Sequence, residues 1–187
     1  MPRPPRELVP GGRYHVIGRG TGGGLLFHNA FDRNHFLKLF GRSVGRFRWS
    51  CLSYCVLGTH YHLLVETPEP NLDRGMHALL APYAQAFNRR HGRFGHLVAE
   101  RFVALPVEGE EHTIAVLRYI ALNPVLADLC KRPEQWPWSS YGAFIGMRTP
   151  PAFLDAERVV SWFGRPPGAW RRIRELVEGS SRSRAGV

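Results

Sequence analysis

The sequence predicts an α+β protein in which an antiparallel sheet carries helices packed on one of its faces. Two observations support this class. Apolar segments of strand length and helix length alternate along the chain, and two of the strand-like segments follow one another as a hairpin. Hairpins between helices are typical of antiparallel sheets, because parallel neighbours need a long crossover. The expected order is strand, helix, strand, strand, helix, strand, helix.

The first half of the chain supplies a strand, a helix and the hairpin. Its strand candidates are residues 13–19, 49–57 and 60–66. The glycine-rich segment 18–24 lacks the lysine and the spacing of a phosphate-binding loop, so we expect a mobile turn there. Residues 29–40 place apolar side chains at a helix-like spacing. Gly58 and Thr59 are expected to form the hairpin turn.

The second half supplies a long helix, a short strand and another helix. Asn71 is a candidate N-cap for the long helix, whose apolar positions follow a helical stripe: Leu72, Met76, Leu79, Leu80, Tyr83 and Phe87. Residues 101–107 predict the strand. Residues 110–123 predict the next helix, with acids in its first turn and Pro124 to end it.

The chain has 187 residues, which suits one compact domain with extensions rather than two domains. We expect a basic, proline-rich arm over residues 1–12 and the main domain over residues 13–148. Residues 149–187 are expected to form a C-terminal extension of one or two short helices, ending in a disordered basic tail.

Basic residues strongly outnumber acidic ones. The chain has 25 Lys and Arg against 15 Asp and Glu, giving a formal charge of +10 and a pI near 10.4. Only Lys38 and Lys131 are lysines, and the planar guanidinium of the many arginines can hold a phosphate with two hydrogen bonds. A polyanion, above all nucleic acid, is the expected partner.

Cysteine content and hydropathy indicate the compartment. Three cysteines, an odd number, exclude a complete disulfide framework and suit a reducing environment. No apolar run approaches the roughly 18 residues of a membrane span, and the N-terminus lacks the apolar core of a signal peptide. We therefore expect a cytoplasmic, nucleoid-associated protein without a membrane partner.

The segment His60-Tyr61-His62 is the first candidate site. Alternation along a strand points both histidines to one face, where two imidazoles can share a divalent metal ion. Tyr61 then points into the opposite layer. Two histidines at this spacing also occur by chance, so a purely structural role in the core is the alternative.

Tyr119 and Asn123 form the second candidate site. Four residues apart on a helix, their side chains lie near each other on one face. Asn123 can offer a carbonyl oxygen to a metal, and Tyr119 places a phenol beside it. A metal-polarised phosphate attacked by that phenol would leave a covalent phosphotyrosine. The alternative is a packed aromatic ring and an ordinary helix-end residue.

Five segments of the chain match the motifs of a known protein family, in the same order along the sequence. They are residues 14–20, 55–64, 83–92, 118–125 and 138–141. Through them the chain resembles the REP-associated tyrosine transposases, in the HUH endonuclease superfamily, named for a His–bulky apolar residue–His motif. The resemblance covers residues 13 to about 146, which makes 13–148 an HUH-type catalytic domain. One departure is Thr59, where the family usually has asparagine.

The resemblance implies a ferredoxin-like sheet and a divalent metal, Mg²⁺ or Mn²⁺. It assigns His60, His62 and Asn123 as metal ligands and Tyr119 as the nucleophile. The implied activity is that of a transposase-like endonuclease that nicks and joins single-stranded DNA beside hairpin repeats such as REP elements, through a 5′-phosphotyrosine. A catalytically idle, nucleic-acid-binding regulator on the same fold is the alternative. Whether a monomer or a homodimer forms the site stays open.

Three further assignments accompany this hypothesis. Arg19, Arg89, Arg90 and Arg93 are candidate DNA phosphate contacts. The aromatic residues that either stack on unpaired bases or form a lid on the core are Trp136, Trp138 and Tyr141. Tyr83 is the less favoured alternative nucleophile, because it falls on the apolar stripe of its helix.

A structural zinc site is a chemical rival. Its four ligands would be Cys51, Cys55, His60 and His62. Structural zinc usually takes its ligands from loops, whereas these cysteines lie along one predicted strand, so the rival is disfavoured.

Overall fold

A computed structural model describes residues 8–99 and 102–179. Most of the expected N-terminal arm and all of the expected basic tail beyond residue 179 lie outside the described residues. Arg101, the first residue of the predicted fourth strand, also lies outside them. Within the described residues no helix is both long and apolar enough to cross a lipid bilayer.

The described chain forms a four-stranded antiparallel sheet in the order β2-β3-β1-β4. The strands are β1 Gly12–Arg19, β2 Ser50–Val56, β3 His60–Thr67 and β4 Val103–Pro106. Helix α1, Ala30–Phe47, follows the first strand, and helix α2, Leu72–His91, follows the hairpin of β2 and β3. This is the ferredoxin-like strand order, and it confirms the predicted α+β class and element order.

Helices cover both faces of the sheet. Tyr61 is buried on the face of α1, where its ring centroid lies 4.8 Å from that of Phe36. The next residue, His62, points to the opposite face, where helix α3, Gly109–Leu126, lies with the ring of Tyr119 5.4 Å away. The first two helices therefore share one face, as predicted, and α3 adds a layer to the other.

Gly18 allows β1 to lie close beneath the ring of Tyr61. The two residues are paired across the β1–β3 ladder, and a Cβ atom at position 18 would collide with that ring. The absence of a side chain there lets Tyr61 lie over the strand. Close packing on this face fixes β3 so that His60 and His62 point toward α3.

Two helix ends and one helix cap differ from the sequence prediction. Helix α1 runs to Phe47 rather than residue 40. The Asn71 side chain does not cap α2, because its Oδ1 accepts a 2.6 Å hydrogen bond from Trp49 Nε1. Helix α3 continues through Pro124 to Leu126, since a proline removes only one backbone donor and Ala127 N still donates to Asn123 O at 2.9 Å.

The C-terminal extension holds α3 on the sheet. It contains the helices α5 Ala156–Ser161 and α6 Gly168–Glu178, and the short helix α4, Tyr141–Phe144, precedes it. Arg118 Nε of α3 donates a 2.8 Å hydrogen bond to the carbonyl of Leu176 in α6. Arg158 of α5 binds Glu66 of β3 through both carboxylate oxygens, at 3.1 and 2.9 Å. The extension thus connects α3 and the sheet by polar contacts.

Arg13 adds a second contact between the sheet and α3. It donates to Glu66 at 2.7 Å and to Thr113 Oγ1 of α3 at 3.2 Å. Partial burial disfavours a charged Glu66, but Arg158 and Arg13 outweigh it and hold the pKa of that carboxyl below its usual range.

Residues 138–155, which include the end of the main domain and the start of the extension, cover the edge of the sheet at β2. Val56 N donates to Trp138 O at 2.9 Å, Ser140 N donates to Tyr54 O at 3.0 Å, and Asp155 N donates to Cys51 O at 2.9 Å. A strand edge that is paired in this way offers few free groups to another chain.

Candidate active site

The structure brings together the four residues that the sequence singles out. His60 is the first residue of β3, His62 follows two positions later, and Tyr119 and Asn123 lie one turn apart on α3. His60 Nε2 is 3.3 Å from Asn123 Oδ1, and the His60 and His62 ring centroids are 5.1 Å apart. These side chains form one cluster between the sheet and α3.

Burial divides the cluster into two parts. His62 and Asn123 are buried, and His60 is half-buried, whereas 45% of Tyr119 is exposed. The phenol is therefore accessible from solvent, and the nitrogen and oxygen donors lie behind it. A substrate can reach the phenol without any rearrangement of the donors.

Thr59 orients the first histidine. Its Oγ1 lies 3.0 Å from His60 Nδ1, within hydrogen-bonding distance, which leaves His60 Nε2 directed at Asn123. The Thr59 carbonyl also accepts a 2.9 Å hydrogen bond from Gly20 N at the end of β1. The hydroxyl group of Thr59 thus supports the His60 ring from the side opposite Asn123.

His15 supports the second histidine. Its Nε2 lies 2.9 Å from His62 Nδ1, and the two rings are stacked with centroids 5.1 Å apart. The other ring nitrogen, His62 Nε2, is buried without a hydrogen-bond partner in the described part of the chain. For Nε2 to offer a lone pair, the proton of His62 must lie on Nδ1, where it is donated to His15.

Both of these histidines are neutral near pH 7. Burial, with smaller contributions from His15, His60 and Arg19, lowers the pKa of His62 to about 3. Burial and His112 lower the pKa of His15 to about 4. A neutral imidazole is the form that ligates a metal.

The donor set fits a divalent cation. Among residues 8–99 and 102–179, no three His, Cys, Asp or Glu side chains are grouped so that they could hold a metal ion. The protein donors available to a metal at this site are the imidazole nitrogens of His60 and His62 and the amide oxygen of Asn123. The buried, unpartnered Nε2 of His62 is the atom that a cation would satisfy, since such groups are costly to leave unpaired.

The geometry contradicts the zinc alternative. A register shift between Cys51 and Ser53 puts Cys51 opposite Val65, on the α1 face, whereas Cys55 is opposite His62, on the α3 face. Burial raises the pKa of both thiols, which disfavours the thiolates that zinc requires. The two cysteines and the two histidines do not share a site.

The two candidate tyrosines have different environments. Tyr83 is buried and its hydroxyl donates a 2.5 Å hydrogen bond to the Leu26 carbonyl. Burial raises the pKa of Tyr83, which disfavours a reactive phenolate. Tyr119 is exposed and lies against His62, so the structure favours Tyr119 as the accessible phenol.

The four predicted DNA-binding arginines fall into two groups. Arg19 is exposed at the end of β1, directly opposite His60 in the ladder. Arg89 and Arg90 lie in the last turn of α2, and Arg93 follows it, so these three belong to another part of the surface.

The C-terminal aromatic residues fit the lid interpretation better than base stacking. The guanidinium of Arg33 lies 5.5 Å from the ring centroid of Trp136 and 4.7 Å from that of Trp138. Both indole N–H groups donate within the protein, to Val56 O and to Asn34 Oδ1. Tyr141 is buried, so it is not accessible to a base.

The roles of one histidine in the cluster and of two exposed phenylalanines are not evident from the sequence. His15 falls on the first predicted strand, but its contact with His62 depends on the strand register, which the sequence does not give. Phe31 and Phe94 had no assigned function, although both prove to be exposed. The position of Phe94 beside the basic run at 89–93 is the sequence signal that could have identified it.

The fold and the cluster define a ferredoxin-like domain with a histidine pair beside an exposed tyrosine. No family model and no curated protein matches the sequence. Among solved structures, a REP-associated tyrosine transposase bound to a REP hairpin is similar, with a TM-score of 0.68 and 16% identity. The alignment covers 78% of this chain and 86% of that chain. At this identity the similarity establishes a shared fold.

Proposed function

We propose that this chain is a metal-dependent, transposase-like endonuclease that nicks and joins single-stranded DNA beside hairpin repeats. The observation that carries this proposal is the convergence of the exposed Tyr119 phenol with His60, His62 and Asn123. The similar solved structure is that of a transposase bound to a DNA hairpin, and the +10 charge of this chain suits the same class of partner.

His60, His62 and Asn123 would hold the metal, Mg²⁺ or Mn²⁺. When bound, the ion neutralises charge on the scissile phosphate and helps to align it. The protein fixes the donors beforehand, since Thr59 orients His60 and His15 orients His62. Such preorganisation lowers the cost of placing a phosphate beside the phenol.

Tyr119 supplies the nucleophile. Its phenolic oxygen forms a bond to phosphorus while the bond from phosphorus to the 3′ oxygen breaks, and the phenolic proton leaves to solvent or to the departing oxygen. The upstream strand departs with a 3′-hydroxyl, and the downstream strand stays attached to Tyr119 through its 5′ phosphate. Attack by a 3′-hydroxyl reverses the step and joins DNA without another energy source.

The described copy of the chain contains all four members of the cluster, and Arg118 and Arg13 connect its α3 to its own extension and sheet. The proposed reaction therefore needs no residue from a second copy. We propose that the protein acts at the nucleoid in the cytoplasm, as a monomer or as a homodimer.

A covalent adduct is the direct test. A pool of hairpin-bearing single strands, labelled at either end, is incubated with the protein and Mn²⁺ and then denatured. We expect the 3′ label, and not the 5′ label, to migrate with the protein, because the downstream fragment is retained. Reversible binding to the pool without any adduct would contradict the proposal and support the idle regulator.

Replacing His15 tests whether it positions His62. We expect His15→Phe to weaken Mn²⁺ binding about 10- to 100-fold, as is typical for a residue behind a metal ligand. His15→Gln should retain more affinity, because its amide oxygen can accept from His62 Nδ1. The measurement is Mn²⁺ titration followed by electron paramagnetic resonance, without DNA.

Nitrogen NMR of the histidine rings distinguishes a positioning role of His15 from a role in packing alone. In the metal-free wild-type protein, we expect the His62 proton on Nδ1, and in His15→Phe a redistribution toward Nε2. The positioning role of His15 would be refuted if the His62 proton lay on Nε2 in the wild type. It would also be refuted if His15→Phe and His15→Gln bound Mn²⁺ with equal affinity.

A further inference from the structure

A basic and aromatic surface lies where α1 begins and α2 ends. We call it the α1–α2 end surface; its residues are Phe31, Arg89, Arg90, Arg93 and Phe94. The two helix ends are joined beneath it by Asp32, which accepts a hydrogen bond from His28 N at 2.9 Å and lies 3.0 Å from His91 Nε2. These contacts hold the ends of the two helices together beneath the surface.

Two phenylalanine rings of this surface face solvent. Phe94 is 95% exposed and Phe31 is 55% exposed. The turn that carries Phe94 is ordered, since Arg93 N donates to Asn88 O and Asn88 Nδ2 donates to Gly95 O, both at 2.9 Å. The turn therefore holds the Phe94 ring in solvent.

Guanidinium groups accompany these rings. Arg90 lies over Phe31, with its Cζ atom 3.8 Å from the ring centroid, and Arg93 lies 6.0 Å from the centroid of Phe87. Asp32 is buried beneath these groups, 3.0 Å from His91 Nε2 and 3.9 Å from Arg90 Nε, so it offsets at most one of the three arginine charges. The surface thus presents positive charge to its surroundings.

A cavity of about 280 Å³ opens between the two helices at this surface. It is lined mainly by aromatic rings and arginines, including Phe31, Tyr83, Phe87, Arg89 and Arg90. Sites for whole drug-sized ligands have volumes of roughly 300–1,000 Å³, so this one suits a single flat ring.

Backbone hydrogen bonds place this surface at the same end of the molecule as the candidate active site. The segment that leads into α1 reaches the β2–β3 turn, because Leu26 N and Phe27 N both donate to Gly58 O, at 2.9 and 3.0 Å. The segment after α2 returns to β1, where Ala99 N donates to Arg19 O at 2.8 Å. Arg19, opposite His60, lies where this segment meets the sheet.

We propose that the α1–α2 end surface binds unpaired nucleotides of the strand whose phosphate lies at Tyr119. This inference rests on the proposed function and adds a single-strand subsite to it. The arginines bind phosphates, and Phe94 and Phe31 stack on bases. Duplex DNA has its base faces covered, so aromatic stacking here selects unpaired segments whatever their sequence.

The test compares two DNA probes in a Tyr119→Phe background, where chemistry cannot contribute. One probe is a hairpin with a single-stranded flank and the other is the same hairpin with a blunt end. We expect Phe94→Leu to weaken binding of the flanked probe at least fivefold, because stacking on one base is lost, and to leave the blunt probe unchanged. Fluorescence anisotropy measures both affinities.

Salt dependence separates the two kinds of contact. Arg89→Gln should reduce the slope of log K against log salt for the flanked probe by about 0.7, because one phosphate contact is lost. Phe94→Leu should leave that slope unchanged. Trp162→Leu, which removes a partly exposed aromatic ring from the extension, is the matched control and should bind both probes normally.

The proposed subsite would be refuted if Phe94→Leu left the affinity for the flanked probe unchanged. It would also be refuted if Phe94→Leu lowered the affinity for both probes equally. If the surface instead served self-association, Phe94→Leu would bind the flanked probe normally and would show a smaller dimer fraction in sedimentation. If no DNA adduct formed but Phe94→Leu still weakened binding of the flanked probe alone, the catalytic proposal would be refuted and the subsite would be supported.

Discussion

Tyr119→Phe is expected to abolish the DNA adduct and to reduce strand cleavage by about three orders of magnitude or more, while DNA binding is retained. The variant removes the only atom that can attack phosphorus in the proposed reaction, which is the largest loss a single substitution can cause. The ring is 45% exposed, so removing its hydroxyl should change stability little. Denaturing electrophoresis of end-labelled DNA measures the adduct, and anisotropy measures binding.

Tyr83→Phe is the matched control for this prediction. It removes a buried hydrogen bond to Leu26 O and should cost about 0.5–1.5 kcal/mol of stability, yet form the adduct. An adduct that persists in Tyr119→Phe and disappears in Tyr83→Phe would reverse the assignment of the nucleophile.

His60→Ala is expected to weaken Mn²⁺ binding at least about a hundredfold, since losing a ligand costs more than losing a residue behind it. Cleavage should fall with it at limiting metal. Calorimetric Mn²⁺ titration without DNA measures the affinity, and a metal series in the adduct assay measures the dependence of cleavage.

His77→Ala is the control for that substitution. His77 is an exposed histidine on α2, outside the site, and its replacement should leave Mn²⁺ affinity and cleavage unchanged. If His60→Ala retained wild-type Mn²⁺ dependence, the histidine pair would not be a metal site.

The order of elements was predictable because its signals are local. The alternation around residues 60–66 and the stripe along α2 each require only neighbouring residues. The same alternation put His60 and His62 on one face, and helical spacing put Tyr119 beside Asn123. The convergence of the two pairs is now seen in the structure, although their chemical roles stay predictions.

What the sequence did not predict depends on distant contacts. Helix α3 is apolar on most sides, because the sheet and the extension both contact it, so periodicity could not say which face of the sheet it covers. Asn71 is a good cap by local preference, but Trp49 N–H competes for its oxygen from 22 positions away. His15 became part of the site only through the β1–β3 register.

The anchoring of α3 by Arg118 and Arg13 has a consequence for stoichiometry. In the proposed reaction each molecule has one attacking phenol, that of Tyr119, and α3 holds its ring 5.4 Å from that of His62 in the same chain. A molecule can therefore retain only one broken end at a time. Exchanging two breaks would need two molecules side by side, or one that completes a full round of cutting and resealing before it starts the next.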